Sequence, residues 1–168
     1  MPIHLIWGDD YEACNREIEE IIQTVIDPSW KSFNYSQIDG NDPKQNFRAL
    51  EEIQSAPLGS GGRIVLVRRS PFCNGCSIDL ANKLEQVIKL IPDNTHFILN
   101  NSNKPDKRLK TTKLIDNSIK SNTLSKEKSF LLPLPWDVNG QRNLVKNILF
   151  KLNLKMNFET IDLLVESI

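Results

Sequence analysis

Between Ile3 and Leu132, short apolar runs alternate with apolar stripes of helical spacing, and that alternation leaves few folds open. Ile3-His4-Leu5-Ile6-Trp7 reads as a buried strand closed by Gly8. Asp9 or Asp10 then stands at a helix N-cap, where a carboxylate accepts orphan backbone N–H bonds. Ile18, Ile21, Ile22, Val25 and Ile26 form one stripe of a helix that stops before Pro28. Phe33, Tyr35 and Gln37 alternate with neighbours as a second strand up to Ile38. Asp42-Pro43 opens a second helix, with Phe47, Leu50 and Ile53 inward and Pro57 and Gly59 as its stop. Ile64 to Val67 is the strongest strand of the chain. Ser77 caps a third helix, whose stripe is Leu80, Leu84, Val87, Ile88 and Ile91. Thr95 to Leu99 is a further strand, a basic helix is predicted over 106–119, and Phe130-Leu131-Leu132 is the last strand. Strands and helices in strict alternation predict an α/β fold. Its parallel sheet carries helices on both faces, because parallel neighbours need crossover connections.

Pro133 to Gly140 interrupts this pattern with two prolines and a glycine. The chain is therefore read as an α/β domain over 1–135 and the start of a second, helical domain over 136–168. Leu144, Ile148 and Leu152 mark one of its helices, and Ile161, Leu164 and Val165 mark another that runs on to Ile168. Two helices of ~30 residues are too few for an independent core, so the helical domain is expected to be cut short and its apolar face partly exposed.

Charge narrows the function classes. The 21 basic and 21 acidic side chains cancel, which argues against a uniformly basic nucleic-acid binder. The cancellation hides a gradient: residues 1–62 are acidic, 63–155 basic, and the last thirteen acidic again. No apolar run approaches the ~20 residues of a membrane span. Met1-Pro2-Ile3-His4 lacks the basic start and apolar centre of a secretion signal, and three cysteines make no disulfide framework. A cytoplasmic protein that does not meet a membrane is expected.

Four segments invite a chemical reading. Cys73-Asn74-Gly75-Cys76 lies between a strand and a helix, where a thioredoxin-like redox pair would stand. Ser77 as cap leaves both cysteines outside the helix, and as a metal site the pair lacks two ligands. Gly59-Ser60-Gly61-Gly62 follows a helix and precedes a strand, the reverse of what a phosphate-cradling loop needs. The place for such a loop, after the first strand, reads Gly8-Asp9-Asp10-Tyr11, whose carboxylates repel phosphate. No nucleotide site, cofactor or ATP hydrolysis is therefore expected. Ala56-Pro57-Leu58-Gly59 is either a helix stop with Leu58 folded back, or an exposed apolar wedge on flexible glycines. Lys104, Lys107, Arg108, Lys110 and Lys113 open a basic stretch reaching Lys128, which is either a solvated face or a set of DNA-phosphate contacts. His4 and His96 lie in strands with no serine or cysteine placed for a triad, so no catalytic residues are assigned.

Taken together, these segments resemble the delta subunit of bacterial DNA polymerase III, a clamp-loader family. The resemblance rests on His4-Leu5-Ile6-Trp7-Gly8-Asp9-Asp10-Tyr11 and on Ser55 to Arg63 followed by Ile64-Val65-Leu66-Val67. It rests also on His96-Phe97-Ile98-Leu99 leading to Asp106-Lys107-Arg108 and Lys110, and on Leu144 to Val165. It implies an ATPase-like (AAA+) fold without a functional phosphate loop, and a non-catalytic subunit of the polymerase holoenzyme. It implies that Ala56, Pro57, Leu58 and Gly59 form a tip that binds the ring-shaped sliding clamp, the beta subunit, and helps open it. Other clamp-loader subunits would bind through a later collar domain; primer–template DNA is a partner if the basic stretch faces DNA rather than only water. A proline stands here in place of one bulky tip residue, with an extra glycine after the tip.

Overall fold

The structure, a computed structural model, describes residues 2–166. Five strands alternate with helices: β1 (Ile3–Trp7), β2 (Tyr35–Asp39), β3 (Arg63–Arg68), β4 (Thr95–Asn101) and β5 (Lys126–Ser129). Every pairing of these strands is parallel, and the strand order is β2-β3-β4-β1-β5. This is the α/β architecture the alternation predicts.

Alternate strand residues serve opposite faces, as the pleat requires. Ile6, Ile64, Leu66 and Ile98 pack under Cys14, Ile18, Ile21 and Ile22 of α1 (Tyr11–Val25). Ile3, Leu5, Val65, Val67, Phe97 and Leu99 face the other way. There they meet α3 (Pro43–Glu52), α4 (Ile78–Val87) and α5 (Lys110–Lys120). One short helix, α2 (Lys31–Asn34), follows a 3₁₀ turn over Pro28–Trp30. The expected caps are in place: Asp10 accepts from Ala13 N, Asp42 from Lys44 N and Ser77 from Leu80 N.

Three elements differ from the sequence reading. Phe33 belongs to α2, so the second strand begins only at Tyr35. The basic helix starts at Lys110 rather than near 106, because Leu109 is extended and the Asp106 carboxylate turns the chain by accepting from Arg108 N at 2.9 Å. The last strand is the polar Lys126–Ser129, not Phe130–Leu132. It sits at the sheet edge against β1 alone, where charged side chains reach water, while Phe130 turns onto the α1 side of the core.

The chain divides into two compact units, Met1–Phe130 and Leu131–Ile168. The second contains α6 (Val138–Lys151) and α7 (Phe158–Glu166), tied by an Arg142–Asp162 ion pair at 2.6 Å. Leu152 and Leu164 are both exposed in it. The expected run of α7 on to Ile168 lies outside the described residues. No helix among the described residues is long and apolar enough to cross a membrane.

Candidate functional site

The segment joining α3 to β3 is held by contacts from a second segment, the 3₁₀ turn and α2. Asn34, with no exposed surface, uses both ends of its carboxamide on one residue. Its Nδ2 donates to the Leu58 carbonyl at 2.8 Å, and its Oδ1 accepts from Leu58 N at 2.8 Å. Gly59 has φ +65°, and a Cβ there would lie 2.1 Å from the Trp30 ring. The Ser60 hydroxyl donates to the Asp27 carboxylate, which also caps the 3₁₀ turn through Ser29 N. That hydroxyl holds the Asp27 carboxyl below the usual carboxylate range. Gly61 bridges to Ile26, and Gly62 N donates to Val25 O at 2.8 Å. Arg63 Nη1 reaches Phe33 O at 3.1 Å.

These contacts zip residues 25–34 to residues 58–63. The sequence reading places the tip on flexible glycines. In the structure those glycines are fixed points instead, supplying left-handed backbone at Gly59 and Gly61 and clearance for Trp30. The Leu58 backbone is held by Asn34, and the residue is 52% exposed. Ala56 and Gly59 are exposed and Pro57 is half-buried. Trp30 and Phe33 add to the same surface, 36% and 59% exposed, with ring centroids 6.2 Å apart. Sequence reasoning missed both. Asp27-Pro28 repeats the Asp42-Pro43 signature of a helix start, and that signal would have marked a short helix there.

The basic stretch is not brought together as one cationic face. Lys107 Nζ lies 3.0 Å from Asp116 and 3.2 Å from Glu127. Arg108 pairs with Asp106 at 2.8 Å and Lys110 with Glu85 at 2.6 Å. Three of the five expected phosphate contacts therefore have a carboxylate at hand already. Lys107 and Arg108 precede the helix on which they were expected.

The cysteines stand in a loop before Ser77. Burial pushes the Cys73 thiol up to about 12 and raises that of Cys76 as well. A redox pair needs the opposite, a stabilised thiolate. His4 Nε2 and His96 Nδ1 lie 3.0 Å apart with stacked rings, and burial lowers both pKa values to about 4. They form a neutral structural pair. Among the described residues no cluster of His, Cys, Asp and Glu could hold a metal ion.

The turn after β1 is closed by the chain itself. Gly8 has φ +139°, and a Cβ there would fall 1.7 Å from Phe130 O. Gly8 N donates to Asn101 O at 3.0 Å and Asp10 N to Phe130 O at 3.2 Å. Amides that could converge on a phosphate are thus bound to carbonyls of β4 and of Phe130.

A family model described as DNA polymerase III, delta subunit, matches residues 4–125. Among solved structures, the chain is similar to the Bacillus subtilis DNA clamp loader delta protein, with 23% identity and a TM-score of 0.67. The match covers 98% of this chain and 48% of that one, so the chain spans about half the length of this relative. No curated protein matches it.

Proposed function

The chain belongs to the DNA polymerase III delta-subunit family, and on that premise we propose that it is a clamp-loader subunit that binds the sliding clamp through the Leu58 tip. It does no chemistry of its own and acts in the cytoplasm during DNA replication. The observation that carries this reading is the tip: an exposed Leu58 whose backbone is locked by Asn34, flanked by Trp30 and Phe33. A partner that buries these three side chains meets a surface already ordered, so little freedom is lost on binding.

The mechanism is differential binding. The tip helps to open the ring only if it grips the opened clamp interface more tightly than the closed one. Burying what Leu58, Trp30 and Phe33 still expose contributes ~1 kcal/mol each, or ~3 kcal/mol together, about a hundredfold in affinity. That is too little to part a tight ring, so further contacts must contribute. Other clamp-loader subunits are further partners that membership of this family implies. Primer–template DNA is a weaker candidate partner, because carboxylates already neutralise Lys107, Arg108 and Lys110.

The test is calorimetry of this chain with the sliding clamp of the same organism. Leu58→Ala should weaken binding several-fold with no change in the melting of the protein. Unchanged affinity would refute the assignment of the tip.

A further inference from the structure

The two edges of the sheet are finished differently. Alternate residues of a strand direct their backbone groups to opposite neighbours, so an edge strand turns half of them outward. In β2, Gly40 N donates inward to Arg68 O at 2.7 Å, which leaves Tyr35, Gln37 and Asp39 facing outward. Two of those amides are already taken: Tyr35 N donates to Lys31 O, and Asp39 N to Gln45 Oε1 at 3.2 Å. In β5, Phe130 N donates inward to Trp7 O at 2.8 Å, which turns Glu127 and Ser129 outward. Both residues are exposed, and neither amide has a partner among the described residues. The β2 edge is thus largely closed by its own chain, and the β5 edge is open. The open edge carries its charges in the order Lys126, Glu127, Lys128. Lys126 and Lys128 share one cleft with Glu17 and Glu20 of α1, and Glu17 pairs with Lys128 at 2.5 Å. Glu127 lies on the opposite face, 3.2 Å from Lys107, which also holds Asp116 at 3.0 Å. Neither face is a bare patch of one sign; what distinguishes the edge is the order of charges along it.

We propose that the β5 edge accepts an extended segment of a partner protein as an added antiparallel strand, with acidic, basic and acidic side chains opposite Lys126, Glu127 and Lys128. The backbone groups of Glu127 and Ser129 supply hydrogen bonds to any extended chain, and the side chains choose among chains. Facing residues of an antiparallel pair share a face, where opposite charges stabilise the pair and like charges oppose it. That rule disfavours a second copy of this protein. A two-fold axis at Lys128 sets two Lys128 side chains against each other, and an axis at Glu127 does the same to Glu127. A segment of the complementary order meets an opposite charge at each position. The proposal stands apart from the clamp reading and survives its failure.

The probes are synthetic peptides titrated into the whole chain and followed by amide NMR. One is Val-Thr-Glu-Lys-Glu-Thr-Val, one is the charge-reversed Val-Thr-Lys-Glu-Lys-Thr-Val, and one is the first peptide N-methylated at its lysine. The first should shift the amides of Glu127 and Ser129 and slow their exchange, and it should weaken as salt rises. The reversed peptide should bind about fivefold more weakly. The N-methylated peptide lacks the amide that meets Glu127 O and should not bind. Lys126→Glu should weaken the first peptide and strengthen the reversed one. Ser129→Pro removes an outward amide and no ladder bond, so it should lower affinity about tenfold with melting unchanged. If Ser129→Pro does not fold, Lys126→Glu and the peptide series decide. Sedimentation equilibrium tests the other occupant. No shift at Glu127 and Ser129 with millimolar peptide, equal binding of the first and reversed peptides, or self-association of the protein that Ser129→Pro abolishes would overturn the proposal.

Discussion

Replacing Asn34 by alanine isolates the contact that orders the tip. Two hydrogen bonds of 2.8 Å disappear, each with a net value of ~0.5–1.5 kcal/mol. Leu58 is half exposed, so water can reach part of what is left unpaired, and the loss should sit near ~2 kcal/mol. For a domain of this size that lowers the melting temperature by ~5–10 °C. The change should be local. Amide exchange at Leu58 should accelerate far more than exchange at Val65 or Leu66 in β3, because Asn34 is the acceptor for Leu58 N and the sheet ladder is untouched. Asn34→Asp splits the effect: an oxygen can still accept from Leu58 N, but none can donate to Leu58 O. Binding gives the second readout. Residues 57–59 would then be ordered only on contact, at on the order of 1 kcal/mol each, so clamp affinity should fall about tenfold to a hundredfold although no contact residue has changed. Normal Leu58 exchange in Asn34→Ala would refute the locking role. A loosened tip with full clamp affinity would refute the argument from pre-ordering.

Other expectations follow from groups already described. His4 and His96 have folded pKa values near 4 against 6.5 unfolded, so the unfolded chain takes up protons that the folded chain refuses. The stability from this pair is complete above pH 6.5 and declines as pH falls toward 4, by on the order of 3 kcal/mol for the coupled pair as a whole. Urea midpoints that stay flat across that window would contradict the buried neutral pair. Gly59→Ala places a methyl group against Trp30 at a positive φ and should destabilise by ~1–3 kcal/mol, with a change in tryptophan fluorescence. Unaltered fluorescence and stability would mean that Trp30 does not pack there. Cys73 should resist alkylation in the folded protein at about pH 8, and a rate matching that of a free thiol would revive the redox reading.

The sequence shows β1, β3 and β4 because each lies between two other strands and is apolar on both faces. It shows the helices because Asp10, Asp42 and Ser77 are local caps that act within three residues. It hides β5, since an edge strand of Lys126, Glu127 and Lys128 carries no apolar signal. The tip is legible only in part. Leu58 beside Pro57 and the glycines suggests an exposed apolar corner, but its lock is a pair of bonds across 24 residues to Asn34. No pattern of period 2 or 3.6 encodes such a contact. The packing of Trp30 on Gly59 is likewise a matter of distance between two loops, and it makes rigid what reads as flexible.

The place of β1 between β4 and β5 has a consequence for how the protein is made. Ile3 pairs with Phe97, and His4 with both Ile98 and Lys126, so β1 leaves the ribosome well ahead of partners made roughly 90 residues later and more. At ~5–20 residues per second, Ile3, Leu5 and Ile6 wait roughly 5–20 s with no sheet to enter. β2 and β3 face a shorter delay and can pair first, with β4 joining them. β1 is then the closing piece. Until it docks, the nascent chain carries an unpaired apolar strand, the feature that makes aggregation and chaperone capture concerns of synthesis rather than of the finished fold.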